Sequence, residues 1–221
     1  AGLRADWTSR DERVRLGATA ISDKGDGART ELAAVDLRAR ITAATELRAE
    51  AAMSRSAGSS AKAWTIEAEH HAGQLDLLAY GRSLDEDFGL AQQNRAERGR
   101  RKIGIDARAQ LAEGWSVTGS AWRDDSLSDS SARNAVELRT DLRRGKTDAR
   151  LGIAHFSDSL NDGRKTSSTV LEAGATQRLL DNRLELDGAT SVALGNTGSI
   201  DLPARHRFGA RYAVTSAIRL L

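Results

Sequence analysis

Histidine, serine and aspartate meet within four positions at His155, Ser157 and Asp158. Those three types could carry out acyl transfer if a base, a nucleophile and an orienting carboxylate converged. The flanking residues alternate as a strand does, and neighbours on a strand point to opposite faces, so the three do not line up. Residues 158–163, Asp-Ser-Leu-Asn-Asp-Gly, open like a calcium loop, yet Leu160 stands where an oxygen ligand is needed and no distal Glu completes the set. They read as a turn. Asp85, Glu86 and Asp87 could hold a divalent cation, but three consecutive acids more often mark a solvated loop. His70 and His71 lack partners at ligand spacing, and His155 falls in an apolar alternation, which makes them structural or interfacial. There is no cysteine and no glycine-rich phosphate loop. The chain is therefore expected to be no enzyme, with no catalytic residue, no metal site and no cofactor.

Composition narrows the partners. Thirty-three basic against 31 acidic residues leave a net charge of +2, too balanced for nucleic acid as a main partner. No run of about 18 apolar residues offers a transmembrane helix. The first residues, AGLRADWTSRDERVRL, lack the basic start and apolar centre of a signal peptide, so an exported protein is represented here by its mature chain or an internal fragment. Mean hydropathy is −0.48, which on average favours a soluble protein. Half the residues of a transmembrane barrel face a polar lumen, however, so pattern has to decide.

The pattern is clearest at residues 103–122, IGIDARAQLAEGWSVTGSAW, where Ile103, Ile105, Ala107, Ala109 and Leu111, then Trp115, Val117 and Ala121, alternate with polar residues on two arms joined by Ala112, Glu113 and Gly114. This is a hairpin with one apolar and one charged face. The same pattern recurs from Arg13 onward: Val35, Leu37 and Ile41 against Asp36, Arg38 and Arg40; Leu47, Ala49 and Ala51 against Arg48 and Glu50; Trp64 and Ile66 against Glu67; Leu138 against Glu137, Arg139 and Asp141; Leu151 against Arg150; Leu184 and Leu186 against Glu185 and Asp187; Phe208 and Tyr212 against Arg211. Residues 33–53 are rich in helix formers, but on a helix every second residue would spread around the circumference and bury nothing coherent. Long connections are expected at 22–32, 54–61, 83–101, 124–133, 157–166 and 195–204, and short ones at 44–45, 72–73, 112–114, 144–146, 180–182 and 215–216. The prediction is an all-β, antiparallel up-and-down transmembrane β-barrel of about 12–14 strands, spanning 1–221 as a single domain, with short periplasmic turns and long outer loops.

At that strand number Ala, Leu and Val cannot fill the interior, so the charged face is expected inside. The predicted lumen-lining residues are Arg38, Arg40, Arg48, Glu50, Glu67, Asp106, Arg108, Glu137, Arg139, Asp141, Arg150, Glu185, Asp187 and Arg211. The predicted lipid-facing set is Val35, Leu37, Ile41, Leu47, Trp64, Ile103, Ile105, Trp115, Leu138, Leu151, Leu184, Leu186, Phe208 and Tyr212. A register that puts Arg143 opposite Asp148 puts Asp141 opposite Arg150, an opposite-charge ladder. Trp115 and Tyr212 beside short turns, with Trp64 and Phe208 nearer long loops, suggest two interfacial girdles, whereas Tyr80 and Trp122 fall on the polar side.

Residues 87–94, DFGLAQQN, followed by 99–107, GRRKIGIDA, and then Trp115 and Trp122, resemble strand pairs in the barrel regions of long Gram-negative outer-membrane proteins. The resemblance implies the cell outer membrane, with lipid and lipopolysaccharide as partners, and a pore passing small solutes, a surface anchor or an export role. Such barrels close with an even strand number and end on an aromatic residue; here Leu221 follows a five-residue stub, as in an excerpt of a larger barrel. A soluble all-β binding or adhesion module is the alternative.

Overall fold

Alternation with period two requires an extended chain, because only there does every second side chain reach the same face. Among the described residues fourteen strands follow one another in a single sheet, ordered in space as in sequence. They are β1 (Gly2–Thr8), β2 (Val14–Asp23), β3 (Thr30–Arg40), β4 (Thr45–Ser56), β5 (Ser59–Ala72), β6 (Leu75–Leu84), β7 (Arg100–Ala112), β8 (Trp115–Ser126), β9 (Ala132–Arg144), β10 (Thr147–Ser159), β11 (Lys165–Leu179), β12 (Leu184–Leu194), β13 (Arg205–Ala213) and the two-residue β14 (Arg219–Leu220). Every pairing is antiparallel, the up-and-down layout of a barrel. The computed structural model describes residues 1–24, 29–56, 58–89, 98–194, 204–214 and 219–220. Gly25 to Gly27, Arg95, Pro203, residues 215–216 and Ile218 lie outside the described residues.

The helix-prone residues of β3 and β4 form strands in register, with Val35 opposite Ala51, Leu37 opposite Ala49 and Ala39 opposite Leu47. Gathering those side chains on one face outweighs their intrinsic preference for helix. At one edge every connection is short, at 9–13, 41–44, 73–74, 113–114, 145–146 and 180–183.

Three expectations are corrected. β1 was not anticipated, although Leu3, Ala5 and Trp7 alternate with Arg4, Asp6 and Thr8 and pair with β2 from Gly2 opposite Ile21 to Thr8 opposite Arg15. Residues 54–61 are not a long loop: β4 runs to Ser56, β5 starts at Ser59, and Gly58 takes the positive φ of 83° that a tight reversal needs. The connections expected at 124–133 and 157–166 shrink to 127–131 and 160–164. Ser- and Asp-rich segments suggested loops, yet polar residues are accepted in a ladder where both faces are wet.

The described residues form no conventional core. No large side chain among the described residues is completely buried, and the buried apolar residues among them are Ala39, Ala61, Phe88, Ala135 and Val170. Phe88 arrives on the long connection 85–99, which is tied down where the Gly89 N–H donates to Ser54 Oγ at 3.0 Å and the Lys62 N–H donates to Asp85 at 2.7 Å. Leu138, Ile105 and Leu186 are 53%, 44% and 41% exposed, so the apolar face is not gathered into a dry centre.

Candidate functional site: the ionic face

The ladder sorts the residues into two faces. Arg38 stands opposite Arg48 and Arg48 opposite Glu67; Asp106, Ser120 and Glu137 form one row and Arg108, Thr118 and Arg139 the next. Arg40, Glu50, Asp141, Arg150, Glu185, Asp187 and Arg211 share this face by the same register. Val35, Leu37, Leu47, Trp64, Ile103, Ile105, Trp115, Leu138, Leu151, Leu184, Leu186, Phe208 and Tyr212 occupy the other, while Ile41 lies in the turn 41–44.

On the ionic face, guanidinium–carboxylate chains cross several strands near the short-turn edge. Arg143 on β9 meets Asp148 on β10 at 2.9 Å; Asp148 meets Arg178 on β11 at 2.6 Å; Arg178 meets Glu185 on β12 at 3.5 Å; Glu185 meets Arg211 on β13 at 3.1 Å. A second chain joins Arg38 to Glu46 at 2.9 Å, Glu46 to Arg48 at 2.7 Å and Arg48 to Glu69 at 3.1 Å, and His71 then bridges Glu69 and Asp76. A third links Arg15 and Arg4 through Asp6, and Arg4 to Asp36 at 2.9 Å. Arg4 is on β1 and Asp36 on β3, so this last pair passes over β2. It does so above Gly17, where an added Cβ would collide with both groups. The planar fork of arginine suits such multi-partner geometry. Wetted pairs of this kind each contribute only about 0–1 kcal/mol, so their role is to orient side chains.

The ionic face also encloses a cavity of about 550 Å³ spanning β7 to β13. Five guanidiniums, from Arg108, Arg139, Arg143, Arg150 and Arg207, surround it against three carboxylates, from Asp141, Asp148 and Asp187. The predicted ladder holds in register, with Arg143 opposite Asp148 and Asp141 opposite Arg150, but only the first becomes an ion pair. The Asp141 carboxylate turns instead to Arg139 on its own strand, at 3.0 Å.

Tyr80 and Trp122, the aromatics on the polar side, stand on either side of Gly104. A Cβ at Gly104 would lie 2.6 Å from the Tyr80 hydroxyl and 2.9 Å from Trp122 Cβ, so only glycine lets the two approach. The Lys102 ammonium sits 4.3 Å from the centre of the Trp122 ring and 5.9 Å from that of Tyr80, a cation–π contact. Residue types alone did not reveal this cluster; the register of β6, β7 and β8 would have.

The candidate catalytic residues are separated. His155 lies on the apolar face against Thr169, while Asp158 lies on the ionic face 3.2 Å from Arg133. Asp162 accepts the Arg164 N–H within the turn at 160–164, and Asp85 is engaged by Lys62. Among the described residues no group of three or more His, Asp or Glu side chains could hold a metal ion.

Ten polar residues of the apolar face form five hydrogen-bonded cross-strand pairs. Thr45 Oγ1 and His70 Nδ1 are 2.8 Å apart, the Trp115 indole N–H donates to Thr140 Oγ1 at 2.8 Å, and the Thr147 hydroxyl donates to Gln177 Oε1 at 2.6 Å. His155 Nδ1 and Thr169 Oγ1 are 2.9 Å apart, and Thr190 Oγ1 and His206 Nδ1 2.8 Å. Above the long-loop end of the apolar stretch the same face turns ionic, with Arg101 and Arg123 both on Asp125, at 3.3 and 2.8 Å.

No family model matches the chain, and no curated protein matches it. Among solved structures it is similar to a bacterial polysaccharide outer membrane secretin, at 14% identity and a TM-score of 0.48, over 96% of this chain and 78% of that one. It is also similar to OmpT (in-vitro folded), an outer membrane protein of Vibrio cholerae, at 11% identity and a TM-score of 0.43, over 96% of this chain and 88% of that one.

Proposed function

We propose that the chain forms an outer-membrane β-barrel whose apolar face meets lipid and whose ionic face lines a water-filled passage for small solutes. The carrying observation is the apolar face itself. On β4 it is bounded by Thr45 and Arg55, on β9 by Asn134 and Arg144, and on β11 by Ser167 and Gln177. Each interval is ten residues, about 34 Å along the strand and about 25 Å tall once tilted, the height of the apolar band of such barrels. Water would satisfy lone polar groups on a soluble sheet at no cost, whereas hydrocarbon leaves each unpaired one several kcal/mol worse off. The three hydrogen-bonded pairs within these bounds, Trp115 with Thr140, His155 with Thr169 and Thr190 with His206, are what hydrocarbon demands. In this reading Arg55, Arg101 and Arg123 at its long-loop border meet lipid headgroups and lipopolysaccharide.

Two measurements test the reading. The refolded protein should lose monodispersity when every amphiphile is removed; a stable, monodisperse solution in plain buffer would favour the soluble binding module. In planar bilayers it should give discrete conductance steps, and a correctly folded but silent barrel would make anchoring of a larger surface protein its role.

A further inference from the structure

Two arginines in the ionic cavity have no carboxylate. Arg108 and Arg150 form no ion pair among the described residues, whereas Arg139, Arg143 and Arg178 around them all do. The cause is local: Asp141, the register partner of Arg150, is held by Arg139. Arg150 lies instead across Gly174, its Nε only 2.8 Å from where a Cβ would be. The floor between the guanidiniums is made of small residues that are donors or leave the backbone open, Ser116, Thr118, Thr176 and Gly174. Arg108 on β7 and Arg139 on β9 flank the Thr118 hydroxyl on β8 in one row, and Arg150 enters from the next. Unpaired forks that line one cavity together with hydroxyls, over a small-residue floor, match a ligand with several anionic oxygens.

We propose that this cavity binds a small soluble oxyanion, a phosphate- or carboxylate-bearing solute, with Arg108 and Arg150 as its principal ligands. The proposal rests on the ionic face being open to solvent, as in the passage described above, but not on transport. The test uses the refolded full chain in detergent micelles and titrates inorganic phosphate, and separately citrate, against sodium chloride at constant ionic strength, following heat of binding and melting temperature. Phosphate or citrate should bind saturably and raise the melting temperature where chloride does not. The Arg108→Gln and Arg150→Gln variants should each weaken binding by at least about tenfold, since a charged hydrogen bond carries about 1.5–3 kcal/mol. Arg10→Gln, with the same charge change in the turn 9–13, should bind as the parent does. Far-UV circular dichroism establishes that each variant is folded; if one is not, Arg108→Lys and Arg150→Lys, which keep the charge and lose the fork, take its place and should also weaken binding. No saturable effect on the parent protein, or an equal loss in Arg10→Gln, would overturn the proposal. Binding by a protein that is silent in bilayers would uphold it while removing the passage, and conductance without binding would do the reverse.

Discussion

A glycine's value depends on which face of the sheet it occupies. Gly17 leaves the space through which Arg4 reaches Asp36, whereas Gly119, on the apolar face, has its nearest neighbour, Leu138 Cδ1, at an ordinary 3.7 Å. Gly17→Ala should therefore cost about 1–3 kcal/mol through overpacking, and Gly119→Ala should change stability by less than about 0.5 kcal/mol. Denaturant unfolding from detergent micelles measures both, and equal effects would refute the assignment. Leu180, Asp181 and Asn182 all take positive φ, of 48°, 52° and 67°. An L-residue pays about 1–2 kcal/mol in that conformation, so Leu180→Gly should raise stability by about 1 kcal/mol in the same assay. Sequence reading put the charged residues on a shared face of the ladder, because their alternation is visible, but it missed Arg4 and Asp6 for want of β1 and left Tyr80 and Trp122 as exceptions. Tyr80 and Trp122 take their meaning from Gly104, twenty-four and eighteen positions away.

At the scale of elements, the connections carry local hydrogen bonds that respond to acid. Backbone and side-chain donors of Arg164 hold the Asp162 carboxyl below its usual range, the Ser131 hydroxyl and backbone N–H do the same for Asp129, and Lys146, 2.9 Å away on the adjacent turn, does it for Asp181. A carboxyl depressed in the folded state stabilises fully above its unfolded value and loses that contribution as pH falls through the folded one. Melting temperature should therefore be flat near neutrality and fall below about pH 4, with Asp162→Ala showing less of the fall and Asp162→Asn retaining part of the turn at all pH values. A steeper acid loss in Asp162→Ala would contradict this. Turns that reverse on one or two residues were legible from Gly73, Gly114 and Gly145. Strand ends at the opposite edge were not, because Ser, Thr and Asp suit a loop and a wetted strand equally well.

For the whole molecule, orientation is the testable matter. Leu138 and Arg139 are adjacent in β9 and lie on opposite faces. With the apolar face in lipid, Leu138→Arg should cost about 2–4 kcal/mol of folding into vesicles, as a cation near the bilayer midplane does, while Ser120→Arg on the ionic face should cost far less. Equilibrium folding into lipid vesicles reads the difference, and equal tolerance of both would mean that the apolar face is not against hydrocarbon.

The alternation alone determined that the chain is extended, that it runs up and down, and which residues share a face, because a period of two admits one geometry. Tertiary structure decided which charges pair with which: register sets the candidates, but Asp141 choosing Arg139 over Arg150 depends on side-chain reach that no spacing encodes. It also decided that five pairs of polar residues on the apolar face satisfy one another, since each pair joins strands that become neighbours only when the sheet forms.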